Sequence, residues 1–383
     1  MTDVTNTLAE LVSIDSVNPE WGGPGESEVA AYVRRFLEGA HIETWEEPSL
    51  PGRNNVMARL PGTDSSRRIV LEAHMDTVSA NQMAFPPFQP VIENGCMRGR
   101  GSCDVKAGLA AMMHALVAVK HSHKLPPCDV IFAAVVDEEH AYWGVVQLVN
   151  SLLKEPIPEA AIVAEPTELR LVRANKGVLR WKIITHGQAA HSSKPELGHN
   201  AITDMARIIL ALEQQFQGLK QTTHPLVGSA TGSIGLIEGG TQINFVPERC
   251  EIKIDRRLLP GESADTALAQ CDALLATVRE RYPAVQVERE APLLSDEAME
   301  TDPKSAVVRT ASSVLNHLGL DAEPVGVPFG CDGSKLSRAG IPTIIFGPGS
   351  IEQAHTANEF VELAQVSTAV NFYQQFLLQF GKT

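Results

Sequence analysis

The chain has 383 residues, of which 44% are apolar and 20% are charged, the composition of an ordinary globular protein long enough for two or three domains. Its 46 acidic and 32 basic residues give a net charge of −14, which argues against a nucleic-acid partner. No apolar stretch approaches the roughly 20 residues that a membrane span needs, and the amino-terminal sequence lacks the features of a secretory signal, so a cytoplasmic protein is expected.

The first 176 residues alternate between helix and strand patterns. Residues 26–38 carry apolar side chains at the spacing of an amphipathic helix, and residues 105–120 are apolar nearly all round, as in a helix that packs on a sheet. Buried strands are predicted over residues 55–60, 68–73, 130–136 and 160–164. This alternation predicts an α/β domain with a mixed, mostly parallel sheet covered by helices on both faces.

The pattern changes near residue 177. Strands and helices follow in the order β-α-β-β-α-β, over residues 178–184, 201–216, 232–237, 245–254, 264–281 and 285–290. This order is that of a small α+β, ferredoxin-like domain. After residue 291 the α/β pattern returns, with helices predicted over 305–318 and 363–380 and a strand over 342–346. We therefore predict a catalytic domain formed by residues 1–176 and 291–383, with residues 177–290 inserted into it.

Candidate ligands follow the ends of the predicted buried strands. They occur in "IVLEAHMDTV", "DVIFAAVVDEEH", "AAIVAEPTE" and "PTIIFGPGSIEQAHTANEF", and one more lies in the glycine-rich turn "RGRGSCDVKAG". Because ligands of open α/β sheets bind beyond the carboxyl ends of the strands, these residues are expected to converge. They are His74, Asp76, Asp104, Glu138, Glu139, Glu165 and His355.

The mixture of side chains indicates a metal site. Two histidines and several carboxylates, with no CxxC pair, suit divalent ions such as zinc, cobalt or manganese. In the HxD segment both side chains point the same way, so Asp76 can accept the second ring N–H of His74. Adjacent Glu138 and Glu139 point differently, so one can bind metal while the other acts as a general base. Each residue alone also has a structural explanation, such as a hydrogen-bonded histidine or a helix cap.

Together these segments resemble the co-catalytic zinc aminoacylase and carboxypeptidase family, which includes acetylornithine deacetylase and succinyl-diaminopimelate desuccinylase. The resemblance covers nearly the whole chain and extends to "GGTQINFVPERCEIKIDRRLLPGE" and "AHTANEFV". It implies two divalent ions, zinc with cobalt or manganese as alternatives. The implied ligands are His74 and Glu165 on one ion and Glu139 and His355 on the other, with Asp104 bridging both.

The resemblance also implies roles for the remaining residues. Glu138 would be the general base, and Asp76 would orient the ring of His74. The inserted domain would be a lid that forms a homodimer, with His191 reaching the site of the neighbouring subunit to polarise the scissile carbonyl. Asn244 and Arg257 would contact the substrate, Arg257 through a carboxylate, although Arg256 is an alternative because only one of the two can face the cleft.

The predicted activity is metal-dependent hydrolysis of the amide bond in an N-acyl amino acid, through a water molecule that bridges the two metals. A dipeptidase or carboxypeptidase of the same family is the alternative, and a non-catalytic binding protein on this fold is a further one. The segment "DEEHAYWGV" departs from the family, where a small, glycine-rich segment follows the paired acids. Asp137 and His140 have no assigned role, and Tyr142 and Trp143 either pack beneath the next helix or line the acyl pocket.

Overall fold

Two units divide the chain in the computed structural model, which describes residues 3–154 and 156–382. The first comprises the chain up to Arg173, Glu300–Val325 and the chain from Cys331 onwards, and the second comprises Ala174–Met299 and Gly326–Gly330. The second unit thus extends beyond the predicted insertion of residues 177–290. Its added carboxyl-terminal part includes a strand, Leu294–Asp296, that pairs within the sheet of this unit.

The helices and strands are numbered in chain order. The helices are α1 (Val4–Ser13), α2 (Ser27–Gly39), α3 (Lys106–His121), α4 (Trp143–Leu152), α5 (Ala201–Gly218), α6 (Ala264–Arg281), α7 (Ala306–Leu318), α8 (Gly333–Arg338) and α9 (Leu363–Gln379). The strands are β1 (Glu43–Leu50), β2 (Arg53–Leu60), β3 (Asp64–His74), β4 (Val91–Glu93), β5 (Cys96–Arg98), β6 (Cys128–Val135), β7 (Ala160–Val163), β8 (Val172–Asn175), β9 (Gly177–His186), β10 (Thr223–His224), β11 (Gly228–Ser229), β12 (Thr231–Gly239), β13 (Arg249–Leu258), β14 (Gln286–Arg289), β15 (Leu294–Asp296), β16 (Met299–Glu300), β17 (Val325–Val327), β18 (Thr343–Ile345) and β19 (Phe360–Glu362).

A mixed sheet is the centre of the first unit. Its order is β1-β2-β6-β3-β7-β18, continued by β8 and β16. Strands β6, β3, β7 and β18 pair in parallel, whereas β1 with β2, β2 with β6, and β18 with β8 pair antiparallel. Every residue of β6 is buried, as expected for a strand covered on both faces. The predicted mixed sheet is confirmed, with the parallel pairs at its centre.

Helices cover both faces of this sheet. One face packs against α1, α2, α3, α7 and α9, which share one continuous apolar core with alternate residues of the strands. Helices α4 and α8 contact the strands but contribute no residue to that core, and so lie on the opposite face. This alternation follows from the period of two along a strand, which directs successive side chains to opposite faces.

The second unit contains an antiparallel sheet of order β12-β13-β9-β14, with β15 also paired to β9. Helices α5 and α6 bury their apolar faces against it. The predicted β-α-β-β-α-β order and the inserted α+β fold are confirmed. The strand predicted over residues 245–254 instead covers Arg249–Leu258, because Phe245 lies in a turn and Pro247 has no N–H to donate to a sheet.

Among the described residues, no helix combines the length and the apolar character needed to cross a lipid bilayer.

Candidate active site

Neighbouring parallel strands of the first unit end at the same edge of the sheet. Strand β3 ends at His74, which lies opposite Val135, the last residue of β6. Strand β7 pairs on the other side of β3 and ends two residues before Glu165. This register brings the polar residues that follow each strand to one place, as expected for the carboxyl ends of parallel strands.

Asp104 lies between two histidines. Its Oδ1 is 3.1 Å from Nε2 of His74, and its Oδ2 is 3.3 Å from Nε2 of His355. Nε2 of His355 is also 3.1 Å from a carboxylate oxygen of Glu139. One oxygen of Asp104 therefore faces each histidine, which is the arrangement required of a bridging carboxylate.

Two overlapping groups of possible ligand atoms share His74. Within each group the atoms lie no more than 4.8 Å apart, and the groups are His74 with Asp104 and Glu139, and His74 with Glu138 and Glu165. The structure thus brings together all five predicted ligands and Glu138. It also places Glu138 close enough to Glu165 to serve as a ligand, so distance alone does not separate the predicted base from the predicted ligands.

Burial shifts the pKa values of the acidic groups in this cluster. Burial raises the pKa values of Glu138 and Glu165 well above their usual range, and nearby carboxylates add to the effect. Burial would also raise the pKa of Asp104, but hydrogen bonds from His355 and His74 outweigh it and lower the pKa. Burial opposes protonation of His355, yet hydrogen bonds to Asp104 and Glu139 raise its pKa to about 11.

The donor set fits divalent cations. Two imidazoles and several buried carboxylates within a few ångströms are oxygen and nitrogen donors of the kind that zinc, cobalt and manganese accept. None of the donors is a thiol; Cys103 is buried beside Asp104 and donates to the carbonyl of Ser350. The side chains therefore suit a metal centre of histidine and carboxylate ligands.

Asp76 contacts His74 mainly through its backbone. Nδ1 of His74 is 3.0 Å from the carbonyl oxygen of Asp76 and 3.5 Å from its carboxylate. The carboxylate instead accepts the backbone N–H groups of Glu138, at 3.1 Å, and Glu139, at 3.3 Å. Asp76 therefore holds the loop that carries the two glutamates, in addition to the expected contact with the histidine.

Asp137 belongs to a buried polar network that the sequence does not reveal. The side-chain amide of Asn18 donates both to Asp76, at 2.8 Å, and to Asp137, at 2.9 Å. Arg53 donates to Asp137 at 3.0 Å and makes a bidentate contact with Glu26. Asn18 and Arg53 lie 119 and 84 residues from Asp137 in the chain, so no local sequence signal could have identified them.

The residues after the paired acids differ in their surroundings. Trp143 begins α4 and is 53% exposed, so it does not pack beneath that helix. The ring of Tyr142 lies under the ammonium group of Lys335, whose Nζ is 3.0 Å from the ring centroid. His140 is exposed and meets the ring of Trp21 edge-on at 6.5 Å. None of these contacts assigns a catalytic role to this segment.

The second unit carries the other predicted site residues. His191 is exposed, and its Nδ1 accepts the backbone N–H of Ser193 at 3.2 Å, which leaves Nε2 for another partner. The backbone N–H of Ser192 donates to the carbonyl of Asn244 at 2.9 Å, so these two segments are neighbours. Nothing in this unit by itself assigns either residue to a substrate.

Arg256 and Arg257 occupy opposite faces of β13. Arg256 is only 2% exposed and donates to Gln270 at 3.0 Å, inside the second unit. Arg257 is partly exposed and pairs with Asp255 at 2.8 Å. Of the two arginines, Arg257 is therefore the one with surface to offer a ligand.

A model of the peptidase family M20/M25/M40 matches residues 70–379. The chain belongs to this family. A probable carboxypeptidase of Aspergillus terreus is 29% identical, over 96% of this chain and 84% of the relative. The acetylornithine deacetylase of Vibrio parahaemolyticus is 28% identical, over 99% of this chain and 98% of the relative. The solved structure of a dinuclear metal-binding M20 peptidase of Bacillus subtilis covers 98% of this chain and 96% of its own, with a TM-score of 0.73 and 18% identity.

Membership in the M20 family confirms the resemblance seen in the sequence and the prediction of a metallohydrolase that cleaves amide bonds. The M20 fold of the solved relative agrees with the mixed sheet and the inserted domain. The roles of the individual site residues stay predictions at this point, as do the identity of the metal and the substrate.

Proposed function

We propose that this M20 protein is a two-metal hydrolase that removes the acyl group from an N-acyl amino acid. The observation that carries the proposal is Asp104, whose two oxygens each face a different histidine. His74 and Glu165 would hold one ion and Glu139 and His355 the other, with Asp104 shared. When bound, two divalent ions, zinc in the first instance, supply Lewis acidity toward the amide carbonyl and lower the pKa of water.

Glu138 carries the proton in this proposal. Glu138 is 8% exposed, and burial raises its pKa, which suits a group that must both accept and release a proton. Glu138 takes the proton of the attacking water and later delivers it to the leaving amine. Asp76 supports this role because its carboxylate holds the backbone N–H of Glu138 at 3.1 Å.

The substrate class is proposed from the relatives and from Arg257. The named deacetylase matches this chain over 98% of its own length, against 84% for the named carboxypeptidase. Arg257 would bind the α-carboxylate of the substrate, Asn244 would contact the substrate, and His191 would stabilise the developing oxyanion. A dipeptidase or carboxypeptidase would use the same groups, and it remains the second candidate.

A hydrolysis screen tests the substrate class. Purified protein is assayed with N-acetyl, N-succinyl and N-formyl amino acids and with dipeptides, and the metal content of the same sample is measured. The proposal expects about two divalent ions per chain and a kcat/KM for one acyl series well above that for any dipeptide. Faster cleavage of dipeptides would favour the peptidase. Unchanged activity after metal removal would reject the two-metal hydrolase.

We also propose a homodimer formed through the edge strand β12, and a cytoplasmic location. Leu236 and Ile237 are adjacent on this strand and each is 55% exposed. On α5, Leu210 is 67% exposed. Paired apolar residues on an exposed edge strand favour association with a second copy. Light scattering should find a dimer, and Leu236→Glu should give monomers, whereas Leu293→Glu, at an equally exposed leucine outside the edge strand, should not.

A further inference from the structure

A buried ion pair lies behind the predicted bridging residue Asp104. Glu359 is fully buried and Arg100 is 2% exposed, and their side chains are 2.5 Å apart. Charges buried to this degree are costly unless each is paired and hydrogen-bonded. Nε of Arg100 has no hydrogen-bond partner among the described residues, but the other groups of the pair are hydrogen-bonded, mostly to the loops that carry two predicted ligands.

Glu359 holds the backbone of the Asp104 turn. One carboxylate oxygen, Oε1, accepts the backbone N–H of Cys103 at 2.9 Å and that of Asp104 at 3.1 Å. The other oxygen, Oε2, faces Arg100. The main chain of Asp104 is thus fixed by a side chain that lies 255 residues away in sequence and four residues after His355.

Arg100 contacts both the segment after β3 and the His355 loop. Its Nη2 donates to the carbonyl of Ser79 at 3.0 Å and makes a longer contact of 3.5 Å with the carbonyl of Thr356, the residue after His355. The backbone N–H of Gly99 donates to the carbonyl of Glu359 at 3.3 Å, and Phe360 then pairs with Arg98 between β19 and β5. The Asp104 turn and the His355 loop are therefore joined by one buried ion pair.

The two predicted metal positions differ in this respect. His74 is the last residue of β3 and Glu165 follows β7, so the sheet itself fixes both. His355 lies nine residues beyond Phe346 in a loop, is half exposed and has a left-handed backbone with φ of 60°. Its position relative to Asp104 depends on the contacts that join the two loops, among which Glu359 makes the most buried ones.

We infer that Glu359 is a positioning residue for the metal ion held by Asp104, Glu139 and His355, and that it acts by fixing the main chain of Asp104. This inference rests on the proposed two-metal function. Removal of the acceptor from the Asp104 N–H should weaken that ion more than the ion at His74 and Glu165, which shares Asp104 but has its other two ligands fixed by the sheet. Residues that hold ligands in position from behind commonly change metal affinity by about 10- to 100-fold.

A pair of double variants isolates the acceptor. Both Arg100→Met/Glu359→Leu and Arg100→Met/Glu359→Gln remove the buried ion pair, so neither leaves a charge buried alone. Only glutamine retains an oxygen that can accept the N–H of Asp104. Zinc and cobalt affinities are measured by competition titration of the metal-stripped proteins. The leucine variant should lose about 10- to 100-fold in affinity for one ion and distinctly less for the other, whereas the glutamine variant should bind both ions nearly as wild type does.

A further variant tests the inference if the leucine variant does not fold. Glu359→Asp keeps the charge opposite Arg100 and withdraws the acceptor by one methylene group, so it should show the same selective weakening. The cobalt spectrum of the ion that remains should match that of His355→Ala, which identifies the weakened position. The inference is overturned if the leucine and aspartate variants bind both ions with the same affinities as wild type.

Asp129→Asn is the matched control. Asp129 is also a buried carboxylate, 5% exposed, that accepts a backbone N–H, from Gly62 at 2.8 Å, and pairs with an arginine, Arg59 at 2.7 Å. It lies at the start of β6, and the site lies beyond the end of that strand. This variant should lose stability but keep two ions. If wild-type protein itself binds fewer than two ions, the proposed function fails. If wild type binds two ions and the Glu359 variants bind them with the same affinities, only the inference about Glu359 fails.

Discussion

Glu138→Gln separates catalysis from stability in this M20 hydrolase. Glutamine has nearly the shape of glutamate, and the side chain is only 8% exposed, so the fold should accept the change. The variant cannot accept the proton of the attacking water. General acid–base groups contribute typically about 10²- to 10⁴-fold to the rate, so kcat should fall by that factor while both ions stay bound.

The effect on stability has the opposite sign. An oxygen of Glu138 lies within 4.8 Å of one on Glu165, and two unit charges no farther apart than that repel by at least about 3.5 kcal/mol at an effective dielectric constant of about 20. Because burial raises the pKa of both groups, protonation relieves part of this repulsion, so the gain should be smaller than the full repulsion of the two charges. After metal removal, Glu138→Gln should unfold at a temperature no lower than that of wild type.

The gain in stability should also depend on pH. The folded-state pKa of Glu138 is raised above the usual 4.5, so the protonated group favours the folded state. That contribution is fully present below pH 4.5 and is lost as the pH rises through the folded-state value. The difference between glutamine and glutamate should therefore be small in acid and grow toward neutral pH.

Three measurements decide this prediction. Turnover is followed with the best substrate of the hydrolysis screen, metal content is determined on the same protein, and thermal unfolding is recorded in chelator at several pH values. Near-normal kcat would exclude Glu138 as the base. Loss of one ion with the loss of turnover would instead make Glu138 a ligand, which its distance from Glu165 allows.

Other substitutions test the rest of the site. His355→Ala should reduce the metal content to about one ion per chain, and unchanged binding of two ions would refute its assignment. Asn18→Ala should cost roughly 1–3 kcal/mol of stability and lower kcat with both ions retained, because two buried carboxylates lose a shared donor at 2.8 and 2.9 Å; an unchanged kcat would contradict a positioning role. Arg257→Ala should raise KM for substrates with a free α-carboxylate and leave the KM of their amides unchanged. Mixed dimers of His191→Ala and Glu138→Gln subunits should regain activity if His191 acts across the dimer, and no recovery after proven subunit exchange would argue against it.

The strands and the positions of the candidate ligands were predictable from local patterns. A continuous apolar run that stops at polar residues marks both a buried strand and its carboxyl end, and β3 and β6 show this clearly. Helix α6 was predicted with its observed bounds, because Ser263 caps the first turn and the apolar period is regular. The position of Asp104 in a turn before a helix likewise needed only local information.

Elements without a local apolar period could not be predicted in the same way. Strand β1 contains three glutamates and a proline in eight residues, and it is defined only by its pairing with β2. Helix α4 begins at Trp143 after a left-handed Tyr142, with no side chain that caps its first turn. Short strands such as β15 and β19 exist because of partners far along the chain, so no local pattern indicates them.

The same distinction explains the three acids after β6. Candidate roles for Glu138 and Glu139 could be predicted from the sequence, because adjacent residues point differently and a hydrolytic metal site needs both a ligand and a general base. The role of Asp137 could not be predicted, because it depends on hydrogen bonds from Asn18 and Arg53, which come from distant parts of the chain. Asp137 accepts from both, and Asn18 joins it to Asp76, which in turn holds the N–H groups of the two glutamates. Asp137 thus anchors the loop that carries Glu138 and Glu139, so the positions of the two glutamates do not depend on one another.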